Sequence, residues 1–179
     1  VAVGGVFVVA YGYDFPSAAV RFEQLEEVIA ICRLMWTEDE PSFEGRHFRI
    51  NGAAAPPRPD TVPRVLIGAS GEQIGLPLVG RVADMWNCWW RGDDDWARRL
   101  GIVHASAERA GRDPASIEVT NTIEKPLPET DAQSAELLEL LAHRAERGVE
   151  HFVMDFGHPR TAEHVLRFAE QVMAPLRNS

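Results

Sequence analysis

The chain has 179 residues, of which 45% are hydrophobic and 25% are charged, and its formal net charge is −9 at pH 7. This composition lies in the range of ordinary globular domains and excludes a disordered or fibrous chain. The acidic balance leaves no basic surface for a nucleic acid backbone or an anionic membrane, so neither is an expected partner.

The first segment, Val1–Val9, is typical of a β-strand rather than of a leader peptide, because no positively charged residue precedes it and no small-residue cleavage site follows. It is also far shorter than the roughly 20 apolar residues that span a bilayer. The two cysteines, Cys32 and Cys88, fit a reducing compartment. The sequence therefore predicts a cytoplasmic protein. Because the chain opens within a predicted strand, we expect it to be a piece of a longer one.

Short β-branched runs alternate with longer amphipathic stretches along the chain, which predicts a βα repeat. The predicted strands are Val1–Val9, Arg64–Gly68, Asp84–Trp89, Ile117–Ile123 and His151–Phe156. The predicted helices lie at about Ser17–Trp36, Gln73–Val82, Asp93–Gly111, Thr130–Gly148 and Arg160–Leu176. A polar insertion over Thr37–Pro63 follows the first helix, with a small hairpin or an extended arm at Ser42–Phe48.

Local signals mark where the third and fourth helices begin and end. The carboxylates of Asp93–Asp95 suit the positive end of a helix dipole, and Gly111 closes the same helix. Thr130 and Gln133 have the spacing of a capping box at the start of the fourth helix, which Gly148 ends.

Strands separated by helices of this length pair in parallel through right-handed crossovers. A doubly wound α/β sheet and a (β/α)8 barrel both satisfy this pattern. A complete barrel needs about 250 residues, and the chain supplies five βα units of it. No linker divides the chain, so we expect a single domain over residues 1–179, with residues 37–63 as an insertion.

The most informative loop comprises Gly68, Ala69, Ser70, Gly71 and Glu72. It joins a hydrophobic strand to a helix at the carboxyl end of the sheet, where parallel α/β proteins bind ligands. Its backbone N–H groups and the Ser70 hydroxyl suit a phosphate group. The alternative is a plain turn whose glycines need positive φ, since the loop is neither a full G-x-G-x-x-G motif nor a P-loop.

The following strand ends in aromatic residues around an amide, namely Trp86, Asn87, Cys88, Trp89 and Trp90. Aromatic faces beside an amide suit a flat heteroaromatic ligand. In the alternative interpretation Trp86 and Trp89 are core residues and Trp90 belongs to an interface. Cys88 is expected to be a packed thiol, because no histidine lies near it in sequence to activate it.

The last predicted strand carries the residue types of a two-histidine, one-carboxylate metal set, in His151, Asp155 and His158. Strand alternation puts His151 and Asp155 on one face, with His158 beyond the strand in a loop. Ordinary ligand contacts by Asp155 and His158 are the favoured interpretation, and no metal is expected.

Several motifs in a fixed order resemble the luciferase-like monooxygenase family. They are Arg21–Glu27, Met35–Thr37, Phe43–Phe48, Leu66–Glu72, Ala83–Asn87, Ala110–Pro114, Gly148–Phe152 and Phe168–Glu170. Their order is most similar to the actinobacterial class that uses the deazaflavin coenzyme F420. The resemblance covers essentially the whole chain.

The resemblance implies a (β/α)8 barrel of TIM type, of which the five units here match strands four to eight. It also implies a flavin or deazaflavin at the carboxyl ends of the strands, with its phosphate on the Gly68–Glu72 loop and with Trp86 and Asn87 facing the same pocket. Family members carry a Gly-x-Gly-Trp-like end to the fourth strand, in whose place Gly4–Val9 stands here. The first three units, which carry many substrate contacts in the family, are absent.

We therefore expect an oxidoreductase that transfers a hydride between reduced coenzyme F420 and an unidentified organic substrate. The alternatives are a flavin mononucleotide (FMN) dependent monooxygenase and a non-catalytic half-barrel. No side chain stands out as a catalytic acid or base. Because the strands at both ends would lack neighbours in an incomplete barrel, a homo-oligomer or an aggregate with little activity of its own is expected.

Overall fold

The computed structural model describes residues 10–157 and 161–177. Its elements in chain order are α1 (Ala18–Thr37), β1 (Phe43–Glu44), β2 (Arg49–Ile50), β3 (Leu66–Gly68), α2 (Gly75–Val82), β4 (Met85–Cys88), α3 (Asp93–Arg109), a 3₁₀ turn (Pro114–Ser116), β5 (Glu118–Glu124), α4 (Asp131–Ala145), β6 (His151–Asp155), α5 (Ala162–Phe168), a π-helical turn (Ala169–Met173) and α6 (Ala174–Arg177). The predicted strand at Val1–Val9 lies outside the described residues. The other predicted strands and the predicted helices are confirmed, with ends that differ by a few residues at most.

The helix ends follow the local signals in the sequence. Thr130 and Gln133 form a capping box in which each side chain binds the other residue's backbone N–H group. The glycines after α3 and α4 adopt left-handed conformations, with φ of 71° at Gly111 and 86° at Gly148. No helix within the described ranges is both long and apolar enough to cross a membrane.

Strand β3 begins two residues later than predicted, because Val65 is held by side-chain and backbone contacts outside the strand ladder. The Asp84 carboxylate accepts a hydrogen bond from the Val65 N–H group at 2.8 Å. The Val65 carbonyl accepts from the N–H groups of Asp84 and Met85, at 2.9 and 3.0 Å. Regular parallel pairing with β4 therefore starts at Leu66.

The four longer strands form one parallel sheet in the order β3-β4-β5-β6. The spatial order equals the chain order, with no reversal of the kind that defines a doubly wound sheet. Right-handed crossovers between successive strands place their helices on the same side. The sheet and its helices therefore have the arrangement found in part of a (β/α) barrel.

The two faces of this sheet differ in cover. One face carries the strand residues that pack on the helices, namely Ile67, Trp86, Cys88, Val119 and Ile123. We call the opposite face the open face; strand alternation assigns to it Leu66, Gly68, Met85, Asn87, Glu118, Thr120, Thr122, Glu124, His151, Val153 and Asp155. Any ligand inside a barrel of this type would meet the open face.

Two apolar clusters fill the helix-covered side. The larger one joins α1, α2 and α3 to β3 and β4, with Trp86 stacked on Trp96 at 5.3 Å between ring centroids. The smaller one joins β5 to α4 and to the chain around the π-helical turn, through Ile123, Phe168 and Val172 among others. The last predicted helix is interrupted by a π-helical turn, in which backbone hydrogen bonds join residues five apart.

The predicted small hairpin is present rather than an extended arm, but it ends at Ile50 instead of Phe48, since β1 pairs with β2 in antiparallel fashion. The hairpin is fastened to α1 by Glu27, whose carboxylate accepts hydrogen bonds from the backbone N–H groups of Arg46, His47 and Phe48, the shortest contacts being 2.7, 2.9 and 2.9 Å. Burial raises the pKa of Glu27, but these hydrogen bonds outweigh burial and leave the pKa below its ordinary value. The hairpin is therefore held by an ionised carboxylate.

Candidate functional site

The Gly68–Glu72 loop begins in a firmly held position at the carboxyl end of β3. The Ala69 N–H group donates to the Asn87 carbonyl at 3.2 Å. The Ala69 carbonyl in turn accepts from the indole N–H group of Trp86 at 3.0 Å. Both backbone groups of Ala69 are therefore engaged, and they orient the residues that follow.

Beyond Ala69 the loop offers donors that nothing in the described ranges uses. Neither the backbone N–H groups of Ser70 and Gly71 nor the Ser70 hydroxyl makes a hydrogen bond to a described residue. Both residues are exposed. Hydrogen-bond donors gathered before a helix are a favourable environment for an anion.

The glycines of this loop are not explained by the loop's own geometry. Positive φ occurs at other glycines and not at Gly68 or Gly71, which removes the plain-turn interpretation. A Cβ atom at Gly68 or Gly71 would meet no atom within 4 Å. Neither backbone conformation nor packing within the chain therefore requires glycine here, whereas close approach of a ligand to the backbone would.

Glu72, at the end of the loop, faces α3 and is neutralised there. Its carboxylate accepts from Arg98 at 2.9 Å, and Arg98 also contacts Asp95. The hydrogen bond from Arg98 lowers the pKa of Glu72 below its ordinary value. The carboxylate thus fastens the loop to α3 and presents no unpaired negative charge to an incoming anion.

Arg21 is a residue of this region that the sequence reasoning missed. Its guanidinium carbon lies 3.8 Å from the ring centroid of Phe15, and its buried Nε has no hydrogen-bond acceptor. Within the described ranges Arg21 forms no ion pair, and no aspartate or glutamate occurs among residues 1–9, 158–160 or 178–179. A half-buried arginine without a carboxylate is suited to an anionic ligand.

Helix packing places the first turns of α1, which contain Arg21, against the start of α2. The next residue, Phe22, has its Cζ atom 3.4 Å from the position of a Cβ on Gly75, and that position is 3.2 Å from the Ala69 Cβ. Near the carboxyl ends of α1 and α2, Arg33 donates to the Val82 carbonyl at 2.8 Å. The two helices therefore run in the same direction. Arg21 therefore lies in the half of α1 that is nearer the carboxyl edge of the sheet, and helical side chains lean toward that end of the helix.

The side chain of Trp86 departs from the expectation that it faces the ligand pocket. It is fully buried on the helix-covered face, against Trp96. Its contribution to the loop is the hydrogen bond to Ala69. Trp90 also stacks on Trp96, with 4.6 Å between centroids, whereas Trp89 is 49% exposed rather than a core residue.

Asn87 lies on the open face, as alternation with Trp86 requires. Its side chain is half-buried and contacts two hydroxyl groups on β5, those of Thr120 and Thr122. Its register partner on β3 is Gly68, the first residue of the loop. Asn87 is therefore the nearest open-face side chain of β4 to the loop.

Cys88 is a packed thiol, as predicted. It is 3% exposed and its sulfur lies 3.1 Å from a terminal nitrogen of Arg99, itself buried beside Asp95. His151 and Asp155 share the open face but lie at opposite ends of β6, and His151 contacts Glu118 at 3.2 Å. His158 lies outside the described residues. Within the described ranges no group of three metal-ligating side chains is found.

The fold is that of α/β proteins in which loops at the carboxyl edge of a parallel sheet form the ligand-binding region. The chain belongs to the luciferase-like monooxygenase family, whose family model matches residues 3–174.

Curated relatives agree with this assignment. The chain is 27% identical over 129 residues to an F420-dependent glucose-6-phosphate dehydrogenase of Kineococcus radiotolerans, covering 71% of this chain and 38% of that protein. It is 34% identical over 97 residues to an F420-dependent hydroxymycolic acid dehydrogenase of Mycobacterium tuberculosis, covering 54% of this chain and 26% of that protein. The chain thus spans well under half the length of these relatives.

Among solved structures, the fold is similar to an F420-dependent secondary alcohol dehydrogenase in complex with an F420-acetone adduct. The TM-score is 0.76 at 18% identity, over 90% of this chain and 64% of that one. A riboflavin lyase with modified FMN and riboflavin has a TM-score of 0.73 at 14% identity, over 96% of this chain and 60% of that one. These likenesses establish the shared fold.

Proposed function

We propose that the protein is an oxidoreductase that binds coenzyme F420 by its phosphate and transfers a hydride between this coenzyme and a small organic substrate. The observation that carries the proposal is the set of unused donors on Ser70 and Gly71 in the loop before α2. We assign Arg21 to the same anion as its cation, because the neighbouring Phe22 packs at the start of α2. The matched curated relatives support the choice of coenzyme, because those cited above are described as F420-dependent.

The residues present fit a phosphate group in charge, donors and space. Arg21 supplies a cation without a competing carboxylate, and the Glu72 charge is taken up by Arg98. The missing Cβ atoms of Gly68 and Gly71 leave room for close approach to the backbone. When bound, the deazaflavin ring would supply the hydride chemistry, while this chain would hold the phosphate end and orient the cofactor.

The test is a fluorescence titration of the chain with coenzyme F420, with FMN in parallel. We expect F420 to bind, and Gly71→Val to weaken its affinity by about tenfold or more, because the new side chain occupies the approach to the backbone. Gly101→Val is the matched control, since Gly101 also faces open space but lies within α3.

Failure of the chain to bind either cofactor would overturn the proposal. Binding of FMN without F420 would assign the site to the FMN-dependent alternative. Equal affinities of the wild type and Gly71→Val would remove the loop from the site. The self-association expected from the sequence stays a prediction, and static light scattering of the chain at micromolar concentration tests it.

A further inference from the structure

The open face next to the loop holds a second feature that the phosphate contact does not use. Gly68 and Asn87 are register partners on β3 and β4, so they lie side by side on this face. The position of a Cβ on Gly68 has no neighbour within 4 Å. A ligand that extends from the loop along the sheet therefore passes Gly68 without obstruction and meets Asn87.

The Asn87 amide is held on both sides by hydroxyl groups. Its Nδ2 donates to Thr120 Oγ1 at 2.8 Å, and its Oδ1 accepts from Thr122 Oγ1 at 3.1 Å. The two threonines are separated by one residue on β5, so the plane of the amide is fixed along the strand. Thr120 is fully buried, whereas Asn87 and Thr122 are only half-buried.

This arrangement leaves part of the amide available. A primary amide has two N–H donors and a carbonyl oxygen with two lone pairs, and the threonines use one of each. The remaining donor and lone pair are the complement of a hydroxyl group, which both accepts and donates. Branched aliphatic residues dominate the inner positions of (β/α)8 barrels, so three linked polar side chains at this level indicate a polar ligand.

We propose that Asn87 binds the hydroxylated linker that joins the phosphate of the cofactor to its ring, and that Thr120 and Thr122 act as positioning residues for the amide. This inference rests on the proposed function, because it takes the phosphate to lie on the Gly68–Glu72 loop. Asn87 lies one strand away from that loop. With the phosphate on the loop, the part of the cofactor next to the phosphate would lie at this distance.

The experiment measures dissociation constants for coenzyme F420 and for its phosphate-free form, which keeps the ring and the hydroxylated linker. We expect Asn87→Ala to weaken both ligands by about tenfold, since it removes two hydrogen bonds to the linker. Ser70→Ala is expected to weaken only coenzyme F420. Asn51→Ala, in the exposed segment after β2, is the matched control.

The positioning role is tested by two substitutions at one residue. Thr122→Val removes the hydroxyl at nearly constant size and is expected to weaken both ligands about threefold, whereas Thr122→Ser keeps the hydroxyl and retains wild-type affinity. A wild type that binds F420 together with an Asn87→Ala variant of equal affinity would overturn this inference alone. A wild type that binds no F420 contradicts the proposed function itself.

Discussion

The two edges of the parallel sheet differ in how completely their polar and charged groups are paired. At the amino edge, charged side chains are paired or bound to carbonyls. Arg33 contacts Asp84 at 2.9 Å, and Glu118 pairs with both Arg64 and His151. Arg112 binds the carbonyls of Gly80 and Ala83, at 2.8 and 2.7 Å, where α2 ends.

At the carboxyl edge, Arg98 pairs with Glu72, but other donors are left unused. Arg21 pairs with no carboxylate in the described ranges, and Ser70 and Gly71 keep free N–H groups. Unpaired polar groups cost free energy in a folded chain unless water or a ligand satisfies them. The amino edge therefore stabilises the sheet, while the unused donors of the carboxyl edge are the groups that the proposed function assigns to a phosphate.

The largest effect is expected at Gly80, where glycine is required by packing within the chain. A Cβ there would lie 2.5 Å from the Val103 carbonyl oxygen and 2.7 Å from the Ala107 nitrogen, which are backbone atoms of α3. Gly80→Ala should therefore lower the free energy of unfolding by about 3 kcal/mol. Gly71→Ala should change it by less than about 0.5 kcal/mol. Urea denaturation of both variants measures the contrast, and equal losses would contradict it.

The second largest loss of stability is expected from substitution of Asp84 at the amino edge. Asp84→Ala leaves the Val65 N–H group and Arg33 without their acceptor, so we expect a loss of about 2.5 kcal/mol in unfolding free energy. Asp84→Asn keeps an oxygen for Val65 and should lose less. Asp60→Ala, in an exposed loop, is the control. A wild-type melting temperature for Asp84→Ala would show that this edge does not hold the sheet.

The carboxyl edge should respond in affinity rather than in stability. Arg21→Gln removes the cation and is expected to weaken coenzyme F420 by roughly 30-fold, the equivalent of about 2 kcal/mol for a charged hydrogen bond. Its melting temperature should fall only slightly, since in the described ranges Arg21 makes no ion pair and the Phe15 ring on which it stacks is exposed. Arg49→Gln, on the hairpin, is the control. Unchanged affinity would remove Arg21 from the phosphate site.

A smaller effect is expected at Ser70. Ser70→Ala removes one hydroxyl donor while the backbone N–H group remains, so the affinity for coenzyme F420 should fall about threefold to fivefold. Ser42→Ala on the hairpin provides the comparison. A greater loss of affinity in Ser70→Ala than in Gly71→Val would contradict the expected order. It would show that the hydroxyl contributes more to binding than the backbone N–H groups do.

The smallest effect concerns the hairpin, which belongs to neither edge. The pKa of Glu27 is below its ordinary value near 4.5 in the folded chain, so the stabilisation by the carboxylate is fully present above that value. It is lost as the pH falls through the lowered pKa. Amide NMR signals of Arg46, His47 and Phe48 should shift together in that acid range, and Glu27→Gln should abolish the transition. Shifts centred above pH 4.5 would contradict the assignment.

Much of the fold was predictable because its signals are local. The capping box at Thr130, the acidic first turn at Asp93 and the glycines after α3 and α4 act within a few residues, so the helix ends follow from the sequence. The Gly68–Glu72 loop was predictable for the same reason, as a strand followed by small residues and a helix. The start of β3 was not, because Val65 is held by Asp84 from the next strand.

The sequence by itself determined which residue types alternate along each strand, and only the tertiary structure decided which face the helices cover. Trp86 and Asn87 are neighbours in sequence and were expected to face one pocket, but the pleat turns the indole toward α3 and the amide toward the open face. Arg21 was not singled out because its lack of a carboxylate depends on all the charges around it. The burial of a side chain and the pairing of its charge depend on residues that are far apart in sequence. Both are therefore decided only when the chain folds.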